Sequence, residues 1–311
     1  MKVLFMGTPD IAAVALKKLI DDGFEIVGVV SQPDKPKGRG HKLMPTPVKK
    51  MAQSCGIAVY QPEKLKNGEM LPILEELKPD VITVVAYGKI LPEYVLNYPK
   101  YGCVNMHASL LPKYRGAAPV QWAVINGEKT TGVTTMLMDK GLDTGDMLVS
   151  KELEIGLYET AEELFVRIAE LGADTLSYTL KNIENITPTP QNDAEHTYAP
   201  MLAKEMGNID WTGRAEKISK LICGMNSWPL AYTYYKGQVM KVISAVLGEE
   251  EKLGKPGEIL SCGKDKGIRV QCGDGTLYIT HIQFAGGKKL AVSEYIKGHS
   301  IEVGEILTKC V

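Results

Sequence analysis

Asn105 and His107 form the pair in this sequence whose types and spacing best fit catalysis. They lie at the end of an apolar stretch, 102–106, that is typical of a buried strand. Because they are two residues apart, both side chains point to the same face of an extended chain. A side-chain amide beside an imidazole can stabilise a developing oxyanion. We interpret the pair as the centre of a candidate active site, while a structural hydrogen-bonded pair remains open on local sequence alone.

A second stretch, 138–147, supplies carboxylates in a glycine-containing loop after another apolar stretch. Its acids are Asp139, Asp143 and Asp146. A carboxylate that reaches His107 would fix the imidazole tautomer and raise its basicity. The local sequence does not show which of the three acids would do so. An ordinary turn rich in Asp and Gly, without a catalytic role, is the alternative interpretation.

The stretch 31–50 is a third candidate, because it contains six Lys or Arg residues, one acid, four prolines and two glycines. Proline and glycine at this density predict an irregular loop over much of its length. A basic loop beside a strand end is suited to phosphate contacts. A solvated surface loop is the alternative interpretation.

Several function classes are disfavoured. Gly7 follows the first apolar stretch, but the remaining glycines of a dinucleotide-binding GxGxxG motif are missing. The six cysteines include no CxxC pair, and His41, His196, His281 and His299 lack ligand spacing, so no metal site is expected. The first apolar run is too short for a signal peptide, and no run is long enough to span a membrane. We therefore expect a cytoplasmic protein.

The elements that must position these residues alternate along the first two thirds of the chain. Apolar stretches predict strands at 3–6, 25–30, 57–60, 81–87, 102–106 and 131–138. Helical patterns follow at 11–21, 47–55, 70–77, 119–126 and 161–184. Strands that are apolar on both faces favour a parallel sheet covered by helices. This order predicts an α/β fold, a Rossmann-like doubly wound parallel sheet.

The last third of the 311-residue chain has a different character. We expect a first domain at 1–189, a proline-containing linker at 190–207 and a second domain at 208–311. Alternating stretches there, including a hairpin with its turn at Lys236-Gly237, favour an antiparallel OB-like β-barrel. Residues 208–311 carry 14 basic and 11 acidic residues, against 22 and 26 in residues 1–207. The mildly basic tail is weak evidence for a polyanionic partner.

At these motifs the chain resembles the methionyl-tRNA formyltransferase family along nearly its whole length. The matching stretches are 6–9, 31–40 (SQPDKPKGRG), 84–92 (VVAYGKILP), 105–119 (NMHASLLPKYRGAAP) and 141–147 (GLDTGDM). The resemblance implies formyl transfer from 10-formyltetrahydrofolate to the amino group of methionyl initiator tRNA, for translation initiation. It implies no metal, no membrane and no stable protein partner.

The resemblance also implies roles for individual residues. Asn105, His107 and Asp143 match the family's catalytic residues. Folate binding is assigned to Ser109, Leu110, Leu111, Pro112, Tyr87 and Gly88. Contact with tRNA is assigned to Arg39 and to its basic neighbours Lys35, Lys37 and Lys42.

Two alternatives stay open at this point. A formyltransferase for an amino-sugar nucleotide or for glycinamide ribonucleotide would share the catalytic stretch, although the 31–50 insertion and the basic tail argue against it. A non-catalytic RNA-binding protein with a decayed first domain is the other alternative. The intact Asn105, His107 and Asp143 argue against decay.

Overall fold

The computed structural model describes residues 1–37 and 42–309. Its backbone divides into two compact units. The first comprises Met1–Gly116, Thr131–Leu153 and Phe165–Ala199, and the second comprises Ala117–Thr130, Glu154–Leu164 and Pro200–Val311. Two short segments that precede residue 190 therefore group with the C-terminal part of the chain.

Strands and helices alternate in the first part of the chain. The strands are β1 (Lys2–Gly7), β2 (Glu25–Val30), β3 (Lys35–Lys37), β4 (Lys42–Met44), β5 (Val59–Tyr60), β6 (Val81–Val85), β7 (Cys103–His107), β8 (Arg115–Gly116), β9 (Thr130–Leu137), β10 (Met147–Glu154) and β11 (Tyr198–Ala199). The helices are α1 (Asp10–Asp21), α2 (Pro47–Ser54), α3 (Leu71–Leu77), α4 (Glu93–Leu96), α5 (Pro119–Ile125) and α6 (Ala161–Lys181). Short 3-10 turns lie at Lys66–Gly68 and Asp193–Glu195.

The main sheet of the first unit has seven strands in the order β10-β9-β7-β6-β1-β2-β5. The pairs from β5 through β7 are parallel. Strands β6 and β7 are buried along their whole length, as apolar strands covered on both faces should be. A buried cluster joins Leu4, Met6 and Ile82 of this sheet to Val95 of helix α4. The predicted Rossmann-like arrangement is confirmed for the parallel strands from β5 through β7 and the helices that cover them.

The turn from β1 into α1 shows how the sequence builds this layer. A Cβ atom at Gly7 would lie 2.6 Å from Cβ of Ala12, so only glycine allows the helix to approach this closely. Helix α1 then buries Ala12, Leu16 and Leu19, which share one face at helical spacing. Asp10 in the first turn and Lys18 in the last turn complement the helix dipole.

The expectation of an all-parallel sheet is wrong at one edge, because β9 pairs antiparallel with β7. Strand β10, which the sequence analysis missed, is the neighbour of β9. Strand β10 has no buried residue and half of its eight residues are exposed, so its sequence lacks the longer apolar run by which the other strands are predicted. Periodicity reports burial and carries no information on strand direction, which explains the error.

The basic stretch 31–50 is less irregular than expected. Strands β3 and β4 pair antiparallel, with Lys37 opposite Lys42. Helix α2 begins after Thr46, whose hydroxyl accepts a hydrogen bond from the amide of Lys49. Residues 38–41, which include Arg39, lie outside the described residues.

The second unit contains an antiparallel sheet. Besides α5, its elements are helices α7 (Ala215–Gly224) and α8 (Val292–Tyr295), strands β12 (Ala231–Tyr235), β13 (Gln238–Leu247), β14 (Ile259–Gly263), β15 (Gly267–Gln271), β16 (Thr276–Phe284) and β17 (Leu290–Ala291), and a 3-10 turn at Lys204–Gly207. The strand order is β12-β13-β16-β15-β14, with β17 on β16. A buried cluster that includes Trp211, Ile222, Met240 and Ile279 forms its core.

The predicted hairpin at Lys236-Gly237 is confirmed, since β12 and β13 pair across this turn. Both turn residues have positive φ angles, 49° and 75°, as a two-residue hairpin turn requires. The described strand order is open, with β12 and β14 as its edges. The chain end bonds to both sides, because Thr308 exchanges 3.0 Å hydrogen bonds with Tyr234 while Gly304 donates to the carbonyl of Ile259 at 2.8 Å.

Candidate active site

Strand β7 carries the two residues from which the site is built. Asn105 is 9% exposed and His107 is 6% exposed. Asn105 lies opposite Met136 of β9, and His107 lies opposite Thr134. Both residues therefore sit near the carboxyl end of a central strand, where open α/β sheets bind their ligands.

His107 is held through one ring nitrogen. Its Nε2 atom lies 2.9 Å from the carbonyl oxygen of Tyr114. A carbonyl only accepts hydrogen bonds, so we assign the proton to Nε2. Nδ1 faces the carboxylate of Asp143, at 3.7 Å from Oδ2. This distance exceeds a direct hydrogen bond, so Nδ1 keeps its bonding capacity for another group.

Asp143 is the acid of the 138–147 loop that reaches His107. Its Oδ2 atom accepts a 2.9 Å hydrogen bond from the amide of Gly116, and its φ angle is 54°. Asp139 instead accepts hydrogen bonds from the amide of Gly141 and from the hydroxyl of Thr144, which folds the loop. The geometry thus distinguishes Asp143 from Asp139, which composition alone left equivalent.

The predicted folate-binding run follows β7 in irregular backbone. The buried Ser109 hydroxyl donates to the carbonyl of Lys113 at 2.7 Å. The Thr134 hydroxyl donates to the carbonyl of Ser109 at 2.8 Å and accepts from the amide of Leu111 at 3.1 Å. Leu111 is buried, whereas Leu110 and Pro112 are half-buried. Thr134 therefore fixes the shape of the run, and sequence reasoning missed it because an isolated Thr in a strand carries no motif.

Tyr87 and Gly88 follow the neighbouring strand β6. The Tyr87 carbonyl accepts from the hydroxyl of Thr8 and from Nε2 of Gln32, at 3.1 and 3.0 Å, and Gly88 also accepts from Gln32. The Tyr87 ring is 1% exposed, and its hydroxyl has no hydrogen-bond partner among the described residues. Burial raises the pKa of this hydroxyl to about 12, so it stays neutral. Because β6 and β7 are parallel neighbours, these two segments end at the same edge of the sheet.

Three of the predicted tRNA-binding residues, Lys35, Lys37 and Lys42, belong to strands β3 and β4. Lys35 is exposed, and Lys37 and Lys42 pair in the hairpin register. Arg39 lies outside the described residues. The described contacts do not join this group to His107 or Asp143.

A glutamine from the predicted linker joins the site, and sequence reasoning missed it. The side-chain amide nitrogen of Gln191 donates to the carbonyls of Asp143 and Gly145, each at 2.8 Å. Its oxygen accepts two hydrogen bonds from the guanidinium of Arg115. A proline-containing polar stretch gives no signal for such a contact, because the contact depends on long-range pairing.

Within the described part of the chain, no group of three or more His, Cys, Asp or Glu residues is placed to hold a metal ion. None of the helices between residues 1 and 309 that the structure describes is long and apolar enough to cross a membrane. The arrangement at the end of β7 is an amide, an imidazole and a carboxylate around one strand end, which is suited to acyl transfer.

Comparison with known proteins gives matches over both parts of the chain. Residues 1–180 match the family described as formyl transferase, and residues 201–300 match its C-terminal domain. A methionyl-tRNA formyltransferase of Alkaliphilus oremlandii is 52% identical over 309 residues, 99% of each chain. One of Caldanaerobacter subterraneus is 50% identical over 310 residues, 99% of this chain and 100% of the relative.

Solved structures show the same fold at lower identity. An N-formyltransferase from Helicobacter canadensis, in complex with folinic acid and dTDP-3-aminofucose, is 19% identical with a TM-score of 0.67. The match covers 93% of this chain and 100% of that one. At this identity the likeness concerns the fold alone.

Proposed function

Because the chain belongs to the formyl transferase family, we propose that it transfers a formyl group from 10-formyltetrahydrofolate to the α-amino group of methionyl initiator tRNA. The product is N-formylmethionyl-tRNA, which serves translation initiation. One observation decides the choice of acceptor. Relatives named methionyl-tRNA formyltransferase match 99% of the chain at about half identity. The site at the end of β7 supplies groups suited to the chemistry.

The acceptor amine attacks the formyl carbon, the bond from that carbon to the folate nitrogen breaks, and the proton that the amine loses is taken up by that nitrogen, so that tetrahydrofolate leaves. A free α-amino group titrates near pH 7.7–8.0, roughly, so neutral amine is available at working pH. The Asn105 amide donates to the formyl oxygen as negative charge develops. Asp143 orients His107 and relays the proton of the amine.

In this scheme, Nδ1 is the ring nitrogen of His107 that faces the reacting groups. Nε2 donates its proton to the Tyr114 carbonyl, so it has no hydrogen left for the formyl oxygen. Nδ1 faces Asp143 with a gap of 3.7 Å, which leaves it available to the reacting groups. Charge that develops on the imidazole is then stabilised by the carboxylate of Asp143.

The folate portion of the donor is held by the segments after β6 and β7. Support comes from Leu111 and Ser109, whose backbone groups are fixed by Thr134. Tyr87 contributes through its main chain, since its ring is buried, and Gly88 follows with a φ angle of 82°.

Contact with tRNA comes from two regions. Arg39, with Lys35, Lys37 and Lys42, reaches the phosphates of the acceptor stem. Residues 208–311 form an OB-like barrel that helps to hold the tRNA, and the bonds of Gly304 and Thr308 to opposite edges of the sheet support its closure. We keep the domain limits at 1–189 and 208–311, and we place the reaction in the cytoplasm, where translation begins.

The test is an acceptor comparison with purified protein and 10-formyltetrahydrofolate. We expect formylation of charged initiator tRNA, with much slower transfer to charged elongator tRNA, to an amino-sugar nucleotide and to glycinamide ribonucleotide. If the protein prefers the amino-sugar nucleotide or glycinamide ribonucleotide, that amine is the acceptor instead of methionyl initiator tRNA. Tight tRNA binding without release of tetrahydrofolate would instead indicate a non-catalytic RNA-binding protein.

A further inference from the structure

Gln191 uses its entire hydrogen-bonding capacity between two segments of the site. Its Nε2 atom donates to the carbonyls of Asp143 and Gly145, at 2.8 Å each. Its Oε1 atom accepts from Nε and Nη2 of Arg115, at 2.9 and 2.8 Å. A primary amide offers two N–H groups and two lone pairs, so Gln191 is fully satisfied. Such saturation fixes the position of the side chain and of the groups that it touches.

The loop that Gln191 holds is under conformational constraint. Asp143 has a φ angle of 54°, in the left-handed region that residues other than glycine rarely adopt. A backbone of this kind persists where its surroundings impose it. At Gly145 a Cβ atom would collide with the carbonyl oxygen of Leu137, so the loop lies directly against β9. The two hydrogen bonds from Gln191 to carbonyls of this loop therefore fix the backbone position from which the Asp143 side chain extends.

The same segment also fixes the partner of His107. The hydroxyl of Thr197 accepts from the amide of Tyr114 at 2.8 Å, and the carbonyl of Thr197 accepts from the amide of Arg115 at 2.9 Å. Tyr114 is the residue whose carbonyl holds Nε2 of His107. Residues 191–199 thus bond on one side to the carboxylate loop and on the other side to the backbone that orients the imidazole.

Arg115 completes the connection. Its side chain is 8% exposed, and it pairs with Asp193, whose side chain is 83% exposed. The backbone amide that follows it, that of Gly116, donates to Oδ2 of Asp143 at 2.9 Å. Gln191 is therefore bonded to the main chain of Asp143 and to a buried arginine beside the donor that holds the Asp143 carboxylate.

We propose that Gln191 is a positioning residue that sets the distance between the Asp143 carboxylate and His107. The inference rests on the proposed function for its kinetic consequence, while its structural consequence is independent of the substrate. Gln191 touches no reacting atom, and it acts through Asp143. A displacement of about 1 Å in a reacting group can lower a rate about 100-fold, so loss of Gln191 should lower kcat.

Two variants and one control test this role. Gln191→Leu removes the four hydrogen bonds to Asp143, Gly145 and Arg115. Gln191→Glu keeps an oxygen for Arg115 but places a carboxylate against the carbonyls of Asp143 and Gly145, where a donor is needed. Asn192→Ala is the matched control, because Asn192 belongs to the same segment and its side chain bonds to Glu195 and Ala194 instead.

The measurements are kcat and KM for formyl transfer and the hydrogen-exchange rate of the Gly116 amide, resolved to the single residue. We expect both Gln191 variants to lower kcat about 10- to 100-fold, with KM for the formyl donor within about threefold. We also expect faster exchange at Gly116, because its acceptor is no longer held. Asn192→Ala should change neither quantity.

Each other outcome has a definite meaning. Activity of Gln191→Glu within twofold of the unchanged chain would overturn the proposal, because the role would then lie in Arg115 alone. Lower kcat with unchanged Gly116 exchange would also overturn it. If the unchanged chain does not formylate Met-tRNA, the proposed function fails, and the exchange comparison still decides whether Gln191 positions Asp143.

Discussion

The imidazole of His107 and the carboxylate of Asp143 face each other across 3.7 Å, from Nδ1 to Oδ2. One side chain comes from a buried strand, and the other comes from the loop between β9 and β10. Both have an independent partner, since Tyr114 holds the ring and the Gly116 amide holds the carboxylate. The pair is thus held close to, but not within, hydrogen-bond distance, which is typical of sites that tighten when substrate binds.

Replacing Asn105 should affect the reaction far more than donor binding. Asn105→Ala removes the amide that we expect to stabilise the developing oxyanion. Loss of one such donor lowers the rate by about 10²–10³. Steady-state kinetics should show this loss in kcat, with KM for the formyl donor nearly unchanged. Turnover close to that of the unchanged chain would remove Asn105 from the mechanism.

Thr134 should determine how well the formyl donor binds. Thr134→Val leaves the carbonyl of Ser109 and the amide of Leu111 without their described partner, at a cost of about 1–3 kcal/mol. We expect a rise of about tenfold in donor KM. Thr135→Val is the matched control, because that hydroxyl bonds to Thr179 and the carbonyl of Val149. Equal effects of the two variants on donor KM would show that the run does not hold folate.

Arg39 should act through tRNA phosphates. Arg39→Ala is expected to raise KM for Met-tRNA and to reduce the dependence of binding on salt, with the donor KM unchanged. Lys66→Ala, at an exposed lysine of a 3-10 turn, serves as control. An unchanged salt slope in the Arg39 variant would mean that the basic loop does not contact phosphate.

The buried hydroxyl of Tyr87 should make stability fall at high pH. Its pKa is raised to about 12 in the folded chain, whereas an unfolded tyrosine titrates near 10, roughly. Above pH 10 the unfolded chain loses this proton first, so the free energy of unfolding should fall as the pH rises to about 12, by about 1–3 kcal/mol. Denaturant titrations should show a steeper fall for the unchanged chain than for Tyr87→Phe. Parallel pH profiles would refute this assignment.

The sequence was sufficient to predict the parts of the fold that rest on burial. Strands β6 and β7 are buried throughout, and both were predicted, as was the hairpin across Lys236-Gly237. Asn105 and His107 were identified from their spacing at a strand end. Strand β10, which has no buried residue, and the direction of β9 were not predicted, because hydrophobic periodicity reports neither of them.

Less could be predicted about the site, because its residues are held by long-range contacts that the sequence does not reveal. Composition left Asp139, Asp143 and Asp146 equivalent until the resemblance selected Asp143, and only the fold shows how its carboxylate is held. Gln191 and Thr134 were missed because each acts on groups that are distant in the chain. A segment that is irregular in sequence, such as 191–197, can hold a site as firmly as a regular element when its bonds are long-range.

The most direct test of the central claim is a double-mutant cycle on His107 and Asp143, read by single-turnover formyl transfer to methionyl initiator tRNA. The variants are His107→Asn, Asp143→Asn and their combination. Groups that act as one unit are not additive, so we predict that the double variant is about as slow as the slower single variant. The account would be contradicted if the rate losses of the two single variants multiplied in the double variant. It would also be contradicted if Asp143→Asn transferred the formyl group at a near-normal rate.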